Sequence, residues 1–269
     1  MVSPTSPVRT PLLPAVTALW RREVVKFLRD RSRVVGAVAQ PLGVWLLLGL
    51  GFQGTFVLPG AAGAGPSYAE FLLPGVVVMV LLFTAIFSTI SVVDERREGF
   101  LQAALVSPSP RIALVLGNVL GGTTLAVVQA VPFVALAPVV GLSPTLPGLA
   151  IVLAGAVPTA LAFTALGYTI AWRVETTRGF HAIMNLFLLP IWFLSGAVFP
   201  AAGAPPALAW IMRANPALYG VEAIRHGLYH PAAAPAATVA PAAAVAVMWA
   251  VALAMCALAA VIVRRHGRR

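Results

Sequence analysis

The residues best suited to chemistry lie in one stretch, Asp94 to Arg111. It carries Asp94, Glu95, Arg96, Arg97, Glu98, Gly99, Phe100, Leu101 and Gln102, then Ser107-Pro108-Ser109-Pro110-Arg111. Three carboxylates fall within five positions, in a chain with eight Asp and Glu altogether. Long apolar runs flank the stretch on both sides, so it must sit in water between two membrane spans. Gly99 to Val106 can form a short amphipathic helix with Phe100, Leu101, Leu105 and Val106 as its apolar residues. Pro108 and Pro110 stop that helix, because proline lacks the amide and restricts the residue before it. Two readings compete here. One is a solvated loop; the other is a docking element for a soluble partner.

The signatures of other chemistry are missing. No Gly-x-x-x-x-Gly-Lys-Ser/Thr phosphate loop occurs, and Lys26 is the only lysine. This chain therefore carries no recognisable ATP site. Gly-x-Ser-x-Gly and His-Glu-x-x-His are also absent, which removes the main hydrolase signatures. His226 and His230 are four apart but have no third ligand nearby, so no metal site is expected and a surface pair is. His181, Glu175, Arg173 and Arg178 form the only polar group that could serve a membrane-embedded lipid or acyl transferase. A charged turn is the preferred reading. A non-transporting scaffold subunit has no specific feature in its favour.

The elements that position these residues follow from composition. The chain has 269 residues, 60% hydrophobic and 10% charged, against about 25% charged in soluble domains. An integral membrane protein is expected. A net charge of +10 would suggest nucleic acid in a soluble protein. Here the basic residues cluster at the ends of apolar runs, which suits membrane lipid headgroups and not nucleic acid. The single cysteine, Cys256, excludes an intrachain disulfide and a cysteine-based zinc site. No cleavable signal peptide is expected, since the first long apolar run follows a basic segment and is span-length.

Residues 1–14 read as a flexible tail. Residues 15–33 read as an amphipathic helix in the membrane interface. Leu13, Val16, Trp20, Val24, Phe27 and Leu28 lie near one face, and Arg21, Arg22, Lys26, Arg29 and Asp30 mostly on the other. A helix packed on a soluble partner is the alternative. Residues 34–263 hold six apolar windows without a charged residue, each near the roughly 20 residues a span needs. They are 34–52, 71–93, 112–140, 148–172, 182–198 and about 238–263. The fold class is therefore all-α, with six transmembrane helices. Pro132 and Pro138 should kink or break the third span near its outer end.

Sixteen of the eighteen Lys and Arg lie before span one, in the 94–111 stretch, between spans four and five, or in the basic tail 264–269. The positive-inside rule then places both termini and the 94–111 loop in the cytoplasm. Residues 199–237 form a long semi-apolar connection. A helix is expected from Pro216 with Asn215 as its cap, which makes Glu222 and Arg225 an i,i+3 pair. Within the spans, Gln40, Asn118, Gln129, Thr164, Tyr168 and Asn185 should bond between helices or line a pathway. Gly117-x-x-x-Gly121 could permit close helix contact, though such a spacing is common by chance in Gly/Ala-rich spans.

The sequence resembles the membrane subunits of type-2 ABC exporters, the group of drug-resistance and polysaccharide-export permeases. Five segments carry the likeness, in order. They are Arg29-Asp30-Arg31-Ser32-Arg33 with Gln40-Pro41; Tyr68-x-x-Phe71-Leu72-x-Pro74-Gly75; Glu95-Arg96-Arg97-Glu98-Gly99-x-Leu101 with Leu105-x-Ser107-Pro108-x-x-Arg111 and Leu116-Gly117; Leu194-Ser195-Gly196-Ala197-x-Phe199-Pro200; and Asn215-Pro216-x-x-Tyr219-x-x-Glu222-x-x-Arg225. Gln102 departs from a common acid and Asn118 from a common lysine, which bears on contact with a partner subunit. The resemblance implies two six-span subunits in a prokaryotic plasma membrane, a homodimer being expected. It also implies a separate ATP-binding subunit that carries ATP and Mg, this chain being no enzyme and holding no cofactor. The 94–111 loop would then be the coupling loop, helped by the interfacial helix with Trp20, Arg21, Arg22, Lys26 and Arg29. The segment with Phe199, Pro200, Asn215, Pro216, Tyr219, Glu222 and Arg225 would be re-entrant and close the outer gate. An amphipathic or lipid-linked cargo is expected. Charge reversal at Glu95 and Glu98 should then abolish coupling while leaving folding intact.

Overall fold

The computed structural model describes residues 11–52, 65–99, 110–229 and 237–266. All regular structure among them is helical. The expected amphipathic segment is α1, Leu12–Arg29, which ends at Asp30; α2 then runs Arg31–Gly51. Span two is α3, Tyr68–Ser88, extended past a break at Thr89 by the short α4, Ile90–Arg97. Next come α5, Arg111–Ala135, and α6, Leu146–Ala171. Span five is α7, Thr177–Trp192. Two short helices follow, α8, Pro206–Ala214, and α9, Pro216–Leu228, before α10, Pro241–His266. Six segments are long and apolar enough to cross a membrane: Val34–Gly51, Tyr68–Arg97, Arg111–Val140, Leu146–Ala171, Thr177–Ala197 and Pro241–Arg265. The protein is an all-α multi-pass membrane protein.

Span two is the axis of the bundle. It is apolar on every side, and Phe71, Leu72, Leu73 and Val76 through Leu82 are fully buried. A helix hydrophobic all round has no solvent face to offer, so it is surrounded by others. Spans one, three, four and five and helix α9 all pack on it. The helix starts are set locally. Ser67, Thr145 and Thr176 each accept the backbone amide three residues on, as N-caps do. Span three ends where the prolines foretold: the α-helix stops at Ala135 and a 3-10 turn, Ala137–Val140, leads to Gly141 at φ +91°.

Helix α1 does not lie free. It docks along span three across Gly117 and Gly121. A Cβ at Gly117 would stand 2.4 Å from the Leu19 Cβ, and one at Gly121 would stand 2.8 Å from the Glu23 Cβ. The Gly-x-x-x-Gly spacing is thus the seam that lets two helices approach this closely. Trp20 Nε1 donates to Thr124 Oγ1 at 3.0 Å beside it. The packed face differs from the expected apolar face. Val16, Glu23 and Phe27 are buried, while Leu13 and Leu28 remain exposed. Gly121→Leu is expected to overpack this seam at about 1–3 kcal/mol. Limited trypsin digestion of the purified chain should then cut faster at Arg21 to Arg29; an unchanged digestion rate would contradict the docking.

Candidate functional site

At one end of the bundle the charged residues meet. Arg22 and Lys26 of α1 reach Glu95 of α4, Lys26 at 3.3 Å, and Arg22 also pairs with Glu23 at 2.8 Å. Ser91 donates to the second oxygen of Glu23 at 3.0 Å. Burial works against the charge on Arg22, but hydrogen bonds and attraction from Glu95 and Glu23 outweigh it and raise its pKa. Glu95 is only 4% exposed. Its carboxylate is committed inside the chain, to the helix that precedes span one. Asp94 accepts from Thr177 Oγ1 at 2.7 Å, and Arg96 donates to the backbone carbonyls of Trp172 and Val174.

Arg97 and Glu98 are the exposed members of the 94–98 cluster. Gly99 then turns the chain at φ +80°, a left-handed conformation that costs a side chain with a Cβ about 1–2 kcal/mol. Arg111 opens span three, half-buried. Phe100, Leu101, Gln102, Leu105, Ser107 and Pro108 lie outside the described residues, as do the amphipathic helix expected there and most of the N-terminal tail. Charge reversal at Glu95 now carries a different expectation. It would set a lysine beside Arg22 and Lys26, so it would damage the internal contact whatever it does to a partner. Arg21 and Arg29 are exposed and line a groove of about 600 Å³ with Arg22, Lys26, Ala18 and Val25.

At the other end, Glu222 and Arg225 pair at 3.3 Å with both side chains wholly buried. Arg225 Nη2 donates to Gly196 O at 2.8 Å, and its guanidinium lies 4.8 Å from the centre of the Phe71 ring. Glu222 Oε2 accepts the Thr238 amide at 3.1 Å. The pair therefore ties α9 to the start of span two, the end of span five and the approach to span six. Gly196 stands at φ +76° in a wide turn, Phe193–Ala197, which ends span five. Trp192 Nε1 donates to Gly75 O at 2.7 Å and Tyr68 to Val198 O at 3.0 Å, holding this turn on span two. Asn215 caps α9 as expected, accepting from the Ala217 amide at 3.0 Å while donating to Ile191 O at 2.6 Å. Tyr219 donates to Arg213 O at 2.9 Å, and Phe199 and Pro200 are half-buried. Helix α9 also meets span four through small residues: Gly148 against Gly227, Gly155 against Ala223 and Thr159 against Gly220.

The polar residues within the spans divide into two groups. Asn118 and Thr164 bond carbonyls of their own helices, at 2.9 and 2.7 Å, and Thr84 donates to Gln129 at 2.6 Å across spans two and three. Tyr168 packs beside Trp172, ring centres 6.2 Å apart. Gln40 and Asn185, by contrast, are exposed on the surface of the single chain. With Thr84, His181, Phe27 and Phe87 they line a cavity of about 390 Å³ between spans one, two and five. The His181 ring sits 5.1 Å from that of Phe87, turned to span two, whereas Arg173, Glu175 and Arg178 are exposed at the turn. Among the described residues, no hydrogen bond, ion pair or ring contact joins Arg173, Glu175, Arg178 and His181 to one another, as a transferase site would need. No cluster of three or more metal-ligating side chains exists among the described residues. His226 meets the Val239 carbonyl at 2.9 Å, and His230 lies outside the described residues.

Three participants were missed in the sequence: Glu23, Ser91 and Thr177. Glu23 had a signal. It is the one acid in a basic helix, and it shares i, i+7, i+11 spacing with Val16 and Phe27.

The profile of the ABC-2 type transporter family matches residues 14–229. The chain belongs to that family. Nodulation protein J of Rhizobium leguminosarum bv. trifolii is 31% identical over 211 residues, covering 77% of this chain and 79% of that protein. A putative transport permease, ycf38, of Porphyra purpurea is 28% identical over 223 residues, covering 80% and 74%. Nodulation protein J of Sinorhizobium fredii is 28% identical over 211 residues, covering 77% and 79%. This ABC-2 chain is thus a transport permease subunit, and both its charged cluster and its buried pair lie within the matched region.

Proposed function

We propose that this permease exports an amphipathic or lipid-linked substrate from the cytoplasm or inner leaflet, driven by ATP hydrolysis on a separate subunit. Two copies pair in a prokaryotic plasma membrane with both termini cytoplasmic. The cargo leaves between the copies, and the ATP-binding subunit docks at the charged end. The observation that carries this reading is the exposure of Gln40 and Asn185 inside spans one and five. A polar side chain left against hydrocarbon is costly, so that face needs a cover that leaves it wet. A second copy supplies one. The cavity beside it mixes three phenylalanines with His181, Asn185, Gln40 and Thr84, which suits a cargo with an apolar body and a polar head. The phosphate loop missing from this chain fits an energy source on a partner.

In a Cys256→Ser background, Asn185→Cys should give a disulfide-linked dimer on oxidation in membranes, whereas Leu149→Cys, exposed on span four, should not. Cross-linking through Leu149→Cys alone would overturn the pairing face. Charge reversal at the two exposed coupling residues, Arg97→Glu with Glu98→Lys, should reduce co-purification of the ATP-binding subunit at least tenfold, about 1.4 kcal/mol. The same change should leave insertion of the permease unaltered. Full retention of the partner would place docking elsewhere.

A further inference from the structure

We infer that Asp94, Arg96 and Thr177 form a staple that couples the loop after span two to span five, and so to the wall of the cavity. The inference rests on the permease reading above and adds the element that is driven. The three residues bring two distant parts of the chain together. Arg96 spends its guanidinium on the carbonyls of Trp172 and Val174, at the end of span four. Trp172 is the C-cap of that helix, whose carbonyl has no intrahelical partner and where a cation is favoured; Val174 lies two residues further, in the connection itself. Asp94 holds the hydroxyl of Thr177, the first residue of α7. The connection between spans four and five is thus gripped at both ends by one turn of α4.

Span three has no comparable polar tie to these residues among the bonds described. Its own start, Arg111, follows a proline and is separated from Gly99 by residues outside the described set. Span five, in contrast, places His181 one turn beyond Thr177 and Asn185 one turn further, at about 3.6 residues per turn. Both line the cavity, and His181 lies against Phe87 of span two. A push on Arg97 or Glu98 therefore moves the Thr177 end of span five with α4, and the cavity wall moves with it. Asp94, Arg96 and Thr177 are positioning residues in this scheme, since none of them lines the cavity.

Two measurements test the staple. The first uses the full-length chain with its ATP-binding subunit in proteoliposomes, reading ATP turnover, partner retention and movement of a fluorescent phospholipid probe. Thr177→Val should leave ATP turnover and partner retention within about twofold while lowering probe movement severalfold, and Thr177→Ser should restore it. Arg96→Gln should lower probe movement about tenfold, and Arg96→Lys, which keeps the charge but not the two-pronged fork, should lie between that variant and the wild type. Wild-type probe movement in the Arg96→Gln/Thr177→Val double variant would overturn the inference. So would a loss of the partner in parallel with transport, because that would make Arg96 a docking residue. The second measurement needs no partner: spin labels on Arg97→Cys and Arg178→Cys, in the Cys256→Ser full-length chain in nanodiscs. One narrow distance is expected, broadening in the double variant; an unchanged distribution would overturn the staple. If the wild-type chain retained no ATP-binding subunit, the permease reading would fail, and the spin-label distance would still decide the staple.

Discussion

Arg225→Leu is expected to cost about 3–5 kcal/mol, because it strands the Glu222 carboxylate in the interior without its cation. Glu222 and Arg225 are both fully buried and pair at 3.3 Å. Removing the arginine also strips the donor from Gly196 O, in the left-handed turn that ends span five. Thermal unfolding of the detergent-purified chain should fall by about 10 °C on the scale of proteins this size. The double variant Glu222→Leu/Arg225→Leu should recover part of that loss, since an apolar pair needs no charge compensation. Transport should stay impaired in the double variant, because α9 would no longer be tied to span five or to the Thr238 amide. A single variant as stable as the wild type would show that the pair is not closed off as described.

The second large effect is at the seam between α9 and span four. Gly227→Val would place a Cβ 2.5 Å from Gly148 O and 2.8 Å from the Val152 amide nitrogen. Both obstacles are backbone, so no rotamer change relieves the clash. Overpacking ordinarily costs about 1–3 kcal/mol, and a branched residue against two backbone atoms belongs at or above the top of that range. The chain should insert but yield little folded protein, measured as the monodisperse fraction after solubilisation. Ala223→Gly, at the next contact along the seam, should be far milder, because it removes a methyl group facing Gly155 and creates no clash. Equal yields from Gly227→Val and the wild type would contradict the close approach.

Much of this architecture was legible in the sequence because hydrocarbon imposes a simple constraint. Each span must be apolar for about 20 residues, so the six windows could be read directly. Local chemistry was legible for the same reason: Asn215-Pro216 begins a helix because one residue caps it and the next has no amide to strand. Pro132 and Pro138 marked the end of span three. Partners distant in sequence were not legible. Glu95 looks like its neighbours Arg97 and Glu98, yet it faces inward because Arg22 and Lys26 of a separate helix meet it. The seam of Gly148 with Gly227 is hidden among 23 glycines, and only the folded chain shows which two touch. By residue type alone, Gln40 and Asn185 are indistinguishable from four other polar residues within the spans. The fold separates them, because four find bonds or close packing inside the bundle while these two stay exposed at the cavity.

The most direct test is ATP-dependent movement of a fluorescent phospholipid probe in proteoliposomes that hold the permease and its ATP-binding subunit. Movement should require both subunits and ATP. It should fall about tenfold in the Gln40→Leu/Asn185→Leu double variant, whose cavity has lost two polar side chains. ATP-independent movement by the permease alone would contradict coupling to a partner subunit. Undiminished movement in the double variant would contradict passage along the face these two residues line.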